Sequence, residues 1–306
     1  MVVYFAAVDA GDALDLIHEN AFRCAFFSYY YCRKGQAKND ILIGSRPHMK
    51  LITIDSGAHS FFSEHADSGL TVSFHKKKTK TKESPQEYFE KYIEWLKKHW
   101  DFFDYFVELD IGEIVGQQTV LAWRERLKAE GLYSKCITVY HPGIMTWDDY
   151  IATLEDSQSK YVALEGDRTA KRNRLPYKKM IKAAYDRGIK THGFAMTKLD
   201  VFHKYPFFSV DSSSWKAAVE YGAGRVVSGQ KTKIVRYSDK DALKDVDLHH
   251  NWKEAYSDNK RLKSNQRYRM AIQAFQKIAD EDTTFWEANG ITYPEWTKYA
   301  KNQHGQ

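Results

Sequence analysis

Cysteine is scarce in this chain of 306 residues, which has only Cys24, Cys32 and Cys136. An odd, scattered set without a C-x-x-C pair argues against a disulfide framework and a cysteine-type zinc site, and it predicts a reducing, cytoplasmic setting. No apolar run approaches the roughly 20 residues needed to cross a bilayer. The opening Met1–Ala10 has neither a basic n-region nor a cleavage site, so neither a leader nor a membrane association is expected. No P-loop pattern is present, no G-x-G-x-x-G follows a strand, and H-E-x-x-H is missing. Nucleoside triphosphate hydrolysis and zincin chemistry therefore lack support. There is no internal repeat and no long Gly/Ser/Pro linker.

The charges that are present lean basic. Lysine and arginine number 46 against 40 aspartates and glutamates, a formal charge of +6. That balance permits a polyanionic partner without requiring one. At 43% hydrophobic and 28% charged residues, the composition is that of a globular protein.

Short apolar or β-branched runs alternate with helical patterns. The strand candidates are Val2–Ala7, Ala25–Tyr30, Leu51–Asp55, Tyr105–Leu109, Cys136–Tyr140, Tyr161–Leu164, Ile189–His192, Phe207–Val210 and Arg225–Val227. Their lack of period-two alternation suits strands buried on both faces. Ser84-Pro85-Gln86-Glu87 forms a capping box, and Phe89, Tyr92, Ile93, Leu96 and Trp100 follow at helical spacing. A second helix carries Val120, Leu121, Trp123 and Leu127, and a third spans Tyr177–Arg187. This order predicts a closed (β/α)8 TIM-type barrel over residues 1–235. A basic helical extension over 236–306, with Lys260, Arg261, Lys263, Arg267 and Arg269, is expected to pack on it. Nine strand candidates is one too many, which leaves either Val2–Ala7 or Arg225–Val227 outside the barrel.

Barrel enzymes place their working groups where strands end. Asp55, Asp110, His141, Glu165, His192 and Asp211 each close a strand candidate, so a closed barrel turns all of them toward one mouth. Taken singly, Asp55 and Asp211 also read as helix N-caps or turn residues. Gly57, Gly143, Gly166 and Gly193 lie at or just after strand ends, where backbone approaches a flat ligand closely. Two basic runs leave the same ends: Lys76, Lys77, Lys78, Lys80 and Lys82 after the third strand, and Arg172 and Arg174 after Glu165. They read either as solvated faces or as contacts to a nucleic-acid backbone.

Thr53-Ile54-Asp55-Ser56-Gly57-Ala58 resembles the D-S-G-G-F segment of the tRNA-guanine transglycosylase family. Phe106–Asp110, Ala163-Leu164-Glu165-Gly166, His192–Met196 and Ser209-Val210-Asp211-Ser212 follow in that family's order. The wording of the first and last segments is most similar to the phage-encoded branch, DpdA, taken to put 7-deazaguanines into DNA. The likeness spans roughly residues 20–235. Two features depart from the tRNA enzymes. The C-x-C-x-x-C…H zinc site is missing, since no cysteine follows Cys136, and Ala58 replaces the second glycine.

The resemblance implies Asp211 as nucleophile and Asp55 as acid/base. It places Asp110 on the guanine N1–H and exocyclic amine, and His141, Leu164, Glu165, Gly166, His192, Gly193 and Met196 around the base. Met196 also reads as a plain core methionine. No metal or redox cofactor is implied. The implied partners are DNA carrying a single-stranded or flipped-out guanosine and a 7-deazaguanine base, and whether a partner protein delivers that base is left open. A minimal tRNA-guanine transglycosylase and a metal-dependent barrel hydrolase using His141, His192, Asp55 and Asp211 stay open as alternatives.

Overall fold

The structure, a computed structural model, describes residues 1–9, 13–63, 83–142, 145–165, 176–197, 203–216, 223–228, 231–236 and 264–299. Eight parallel strands close a barrel in sequence order: β1 (Val2–Ala6), β2 (Cys24–Ser28), β3 (Leu51–Asp55), β4 (Tyr105–Val107), β5 (Cys136–Tyr140), β6 (Tyr161–Leu164), β7 (Lys190–Gly193) and β8 (Ser209–Ser212). Closure is made by β1 against β8, in the register Val2 to Ser209 and Tyr4 to Asp211. This is the (β/α)8 architecture that the alternation of apolar runs and helices predicts.

The surplus candidate is Arg225–Val227. It lies in a separate antiparallel hairpin of β9 (Ala223–Ser228) and β10 (Lys231–Arg236), and β10 runs across the expected boundary at residue 235. The ends of several elements shift. Ala25–Tyr30 divides into β2 and a short helix over Tyr29–Cys32, and Leu109 lies beyond β4.

The helices form for local reasons. Ser84 caps Pro85–Lys98, its hydroxyl accepting from Glu87 N–H while the Glu87 carboxylate accepts from Ser84 N–H. The stripe Phe89, Tyr92, Ile93 and Leu96 is buried against the sheet. Trp100 falls just after this helix, in a 3₁₀ turn. In Gln117–Ala129 the residues Val120, Trp123 and Leu127 face inward, whereas Leu121 faces solvent. Arg124 of this helix is also buried, since Glu108 of the β4 end accepts from its Nε and Nη2, both at 2.7 Å.

The long Ser264–Ala288 helix lies against the barrel, burying Ala271, Ile272, Phe275 and Ile278. Phe275 packs edge-on against Phe5 of β1 at 6.4 Å. Of the basic tail residues, Arg269 pairs with Glu19, while Lys260, Arg261 and Lys263 are outside the described residues. Among the described residues no helix is long and apolar enough to cross a membrane.

Candidate active site

The C-terminal end of β3 is held by a turn that only glycine fits. Gly57 has φ +73°, and a Cβ there would sit 2.4 Å from Tyr30 Cβ and 2.7 Å from Tyr30 N. The turn aims the Gly57 N–H at Asp55 Oδ2, 3.0 Å away. Burial, reinforced by the negative charges of Asp211 and Asp9, outweighs the Gly57 and Ser56 N–H groups and lifts the Asp55 carboxyl to about 6.

Asp110, just past β4, receives Ser56 Oγ at 3.5 Å. Burial, with the charges of Asp55 and Glu108, pushes its carboxyl up to about 7 against the opposing pull of His141. His141 follows β5 and joins two strand ends. Its Nδ1 lies 2.5 Å from Glu165 Oε2, and its Nε2 lies 3.7 Å from Asp110 Oδ2. Burial disfavours its charged ring, but the Glu165 hydrogen bond and the Asp110 charge prevail, so its pKa is raised. Leu164 is fully buried at the end of β6, in register with Tyr140 and Gly193.

The other side of the mouth is built by β7 and β8. The turn after Gly193 places Ala195 at φ +53°. Its N–H donates to Asp211 Oδ1 at 2.7 Å. At Gly193 a side chain would be tight, since a Cβ would lie 3.0 Å from Met196 Sδ and 3.2 Å from Phe207 Cε1 and these neighbours would have to give by a few tenths of an ångström. Met196 thus folds back onto the Gly193 backbone and is buried.

His192 is fully buried. Its Nδ1 meets Ser209 Oγ at 2.7 Å, and its Nε2 lies 3.3 Å from Asp211 Oδ1. The ring stacks on Phe26 at 5.4 Å, with Phe194 edge-on at 4.8 Å.

The predicted residues therefore meet as two groups, Asp110–His141–Glu165 and His192–Asp211, with Asp55 under the electrostatic influence of Asp211. Gly143, Gly166, Lys76, Lys77, Lys78, Lys80, Lys82, Arg172 and Arg174 lie outside the described residues. Asp9, beyond β1, is missed by the sequence reading. It is buried, Lys38 Nζ donates to its backbone carbonyl, and its charge acts on Asp55. Its signal is the same as that of the others, an aspartate just past a strand. Ser209 and Tyr161 are missed as well, and they leave no such mark. Among the described residues no group of three or more His, Cys, Asp or Glu side chains is arranged to hold a metal ion.

Fold and site together define a (β/α)8 barrel with a carboxylate-rich mouth. No protein-family model matches the chain, and no curated protein matches it. Among solved structures, the YdjI aldolase from Escherichia coli K12 is similar at a TM-score of 0.44 and 10% identity, over 90% of this chain and 89% of that one. At that level nothing of the aldolase's activity carries over.

Proposed function

We propose that the protein is a DNA guanine transglycosylase, a pentosyltransferase that exchanges guanine in DNA for a 7-deazaguanine base such as 7-cyano-7-deazaguanine. The observation that carries this reading is the pairing of Asp55 and Asp211 at the ends of β3 and β8. One of these carboxyls is poised near neutrality, and the other is held by a backbone N–H.

Base exchange at an intact nucleotide needs a nucleophile at C1′ and a separate proton carrier. The Asp211 carboxylate attacks C1′, the C1′–N9 electrons depart with guanine, and Asp55 supplies the proton that the departing base takes up. The incoming base gives its proton to Asp55 and displaces Asp211. Two inversions at C1′ retain the configuration, by the logic of retaining glycosidases. A carboxyl lifted to about 6 can serve as acid in one half and base in the other. Asp110 in its ionised form accepts from the guanine N1–H and exocyclic amine. His141, held by Glu165, presents Nε2 on the same side. DNA is favoured over tRNA by the wording of the Asp55 and Asp211 segments and by the missing C-terminal cysteines. The target guanosine must leave the stack, so single-stranded or distorted DNA is the better substrate.

The test is incubation of the purified protein with DNA or tRNA bearing labelled guanine, plus excess 7-cyano-7-deazaguanine, following release of label. Release from DNA that disappears in Asp211→Ala and Asp55→Ala supports the proposal. Release from tRNA alone moves the substrate to RNA. No release from either, with candidate partner proteins added, refutes it.

A further inference from the structure

Beneath the mouth runs a line of buried polar side chains that the base-exchange steps leave unused. Ser209 and Asp211 are two apart on β8, so both project from the same face of the strand. Ser209 is in register with His192 of β7, and its Oγ lies 2.7 Å from His192 Nδ1. The hydroxyl of Tyr161, at the start of β6, hydrogen-bonds the same Oγ from the other side. Tyr161, His192 and Ser209 are all fully buried. The line ends at His192 Nε2, 3.3 Å from Asp211 Oδ1.

A neutral imidazole carries one N–H, and the partner of one nitrogen decides which nitrogen has it. If the proton sat on Nδ1, the Nε2 lone pair would face a carboxylate oxygen inside the barrel, with no donor between them. The opposite polarity turns an N–H, not a lone pair, toward the carboxylate. Tyr161 donates to Ser209 Oγ and Ser209 donates to His192 Nδ1, which leaves the proton on Nε2, 3.3 Å from Asp211 Oδ1 but out of line for a hydrogen bond. Stacking on Phe26 and the edge contact with Phe194 prevent the ring from turning to another partner. The Ala195 N–H converges on that same Oδ1, at 2.7 Å.

We infer that Tyr161, Ser209 and His192 are positioning residues that fix the tautomer of His192, so that its Nε2–H dipole and the Ala195 N–H hydrogen bond together hold Asp211 Oδ1 and Oδ2 is the attacking oxygen; this rests on Asp211 being the nucleophile. In the first displacement the Oδ2–C1′ bond forms as C1′–N9 breaks, and Oδ1 becomes the ester carbonyl oxygen. In the second, Oδ2–C1′ breaks and the charge returns to a carboxylate whose Oδ1 already has the Ala195 N–H as donor and the His192 Nε2–H close by. The relay therefore assists departure of Asp211 from the sugar, and the covalent intermediate outlives its normal span when the relay is cut.

The relay can be tested in two ways. The first needs no substrate: ¹⁵N NMR of histidine-labelled protein, with the His192 signals identified by their loss in His192→Phe. The wild type is expected to show the Nε2–H tautomer, and Ser209→Ala and Tyr161→Phe to show a mixture. The second is kinetic. Both variants should exchange base about tenfold more slowly at unchanged KM, with a longer-lived protein–DNA adduct. An Nδ1–H tautomer in the wild type overturns the inference, as does a Ser209→Ala protein with wild-type tautomer and kcat. If no base is exchanged at all, the transglycosylase reading fails separately, and the tautomer alone decides whether the relay exists. Tyr161→Phe, which removes one oxygen and keeps the ring, serves if Ser209→Ala does not fold.

Discussion

Replacing Asp55 by asparagine should stabilise the protein, and by an amount that depends on pH. In the folded chain burial lifts this carboxyl from 3.8 to about 6. Between those values the folded state keeps a proton that the unfolded chain has released. Folding is thus favoured at low pH, and that advantage is lost as pH rises through about 6. Roughly two units, at about 1.4 kcal/mol each, amount to about 3 kcal/mol of destabilisation once the group is ionised. Asparagine never ionises, and its side-chain oxygen can still accept from the Gly57 N–H. The gain over the wild type should be about 0.5 kcal/mol at pH 4, about 1.5 kcal/mol at pH 5 and about 3 kcal/mol at pH 8. Urea unfolding followed by tryptophan fluorescence across that range measures it. A gain that is flat with pH, or an Asp55→Asn protein less stable than the wild type at pH 8, would refute the claim that Asp55 is held against its charge. Base exchange by the same variant should be lost, because the strained carboxyl is the proton carrier.

Asp110 carries the same argument into binding. Only its ionised form accepts two hydrogen bonds, so the KM for the incoming base should fall as pH rises through about 7, and Asp110→Asn should abolish that dependence; steady-state exchange with varied base concentration is the check. Gly57→Ala places a methyl against Tyr30 at a positive φ, and should cost roughly 2 kcal/mol or more in denaturant unfolding; a change under about 0.5 kcal/mol would contradict the geometry. Breaking the buried Glu108–Arg124 pair with Arg124→Ala should cost about 3–5 kcal/mol, because the buried Glu108 carboxyl loses its ion partner and keeps only the Val139 N–H. Glu108→Leu with Arg124→Met should recover most of that loss, and thermal unfolding of the two proteins separates pairing from packing.

Most of the barrel is legible in the sequence because a strand covered on both faces must be written in apolar residues, and Leu51-Ile52-Thr53-Ile54 or Cys136-Ile137-Thr138-Val139 can hardly be anything else. The rank of Val2–Ala7 against Arg225–Val227 is not legible. Both are short and apolar, and only long-range pairing of β1 with β8 decides between them. The strand Lys231–Arg236 escapes because Lys-Thr-Lys-Ile-Val-Arg has neither an apolar run nor alternation. Strand-end aspartates can be read because fold class alone says where strand ends point. The contact of Tyr161 with Ser209 spans 48 residues, obeys no period, and becomes visible only once β6, β7 and β8 lie side by side. Leu121 shows the reverse error, an apolar residue that fits the helical stripe yet faces solvent.

The distribution of charge along the chain bears on how a nucleic acid would meet this site. The net charge is +6, yet among the described residues the side chains gathered at the strand ends include Asp9, Asp55, Asp110, Glu165 and Asp211, with His141 and His192 among them and Lys38 beside Asp9. A phosphate drawn into that group would face several carboxylates at short range, where screening by salt is weakest. A neutral purine with its N–H donors meets acceptors there instead. The basic residues Lys76, Lys77, Lys78, Lys80, Lys82, Arg172 and Arg174 follow β3 and β6 in the sequence and lie outside the described residues. Under the proposed reaction the strand-end carboxylates are therefore suited to the base and not to the phosphates. In that reaction a base reaches those acceptors only when its nucleotide is rotated out of the stack, as the chemistry at C1′ also requires.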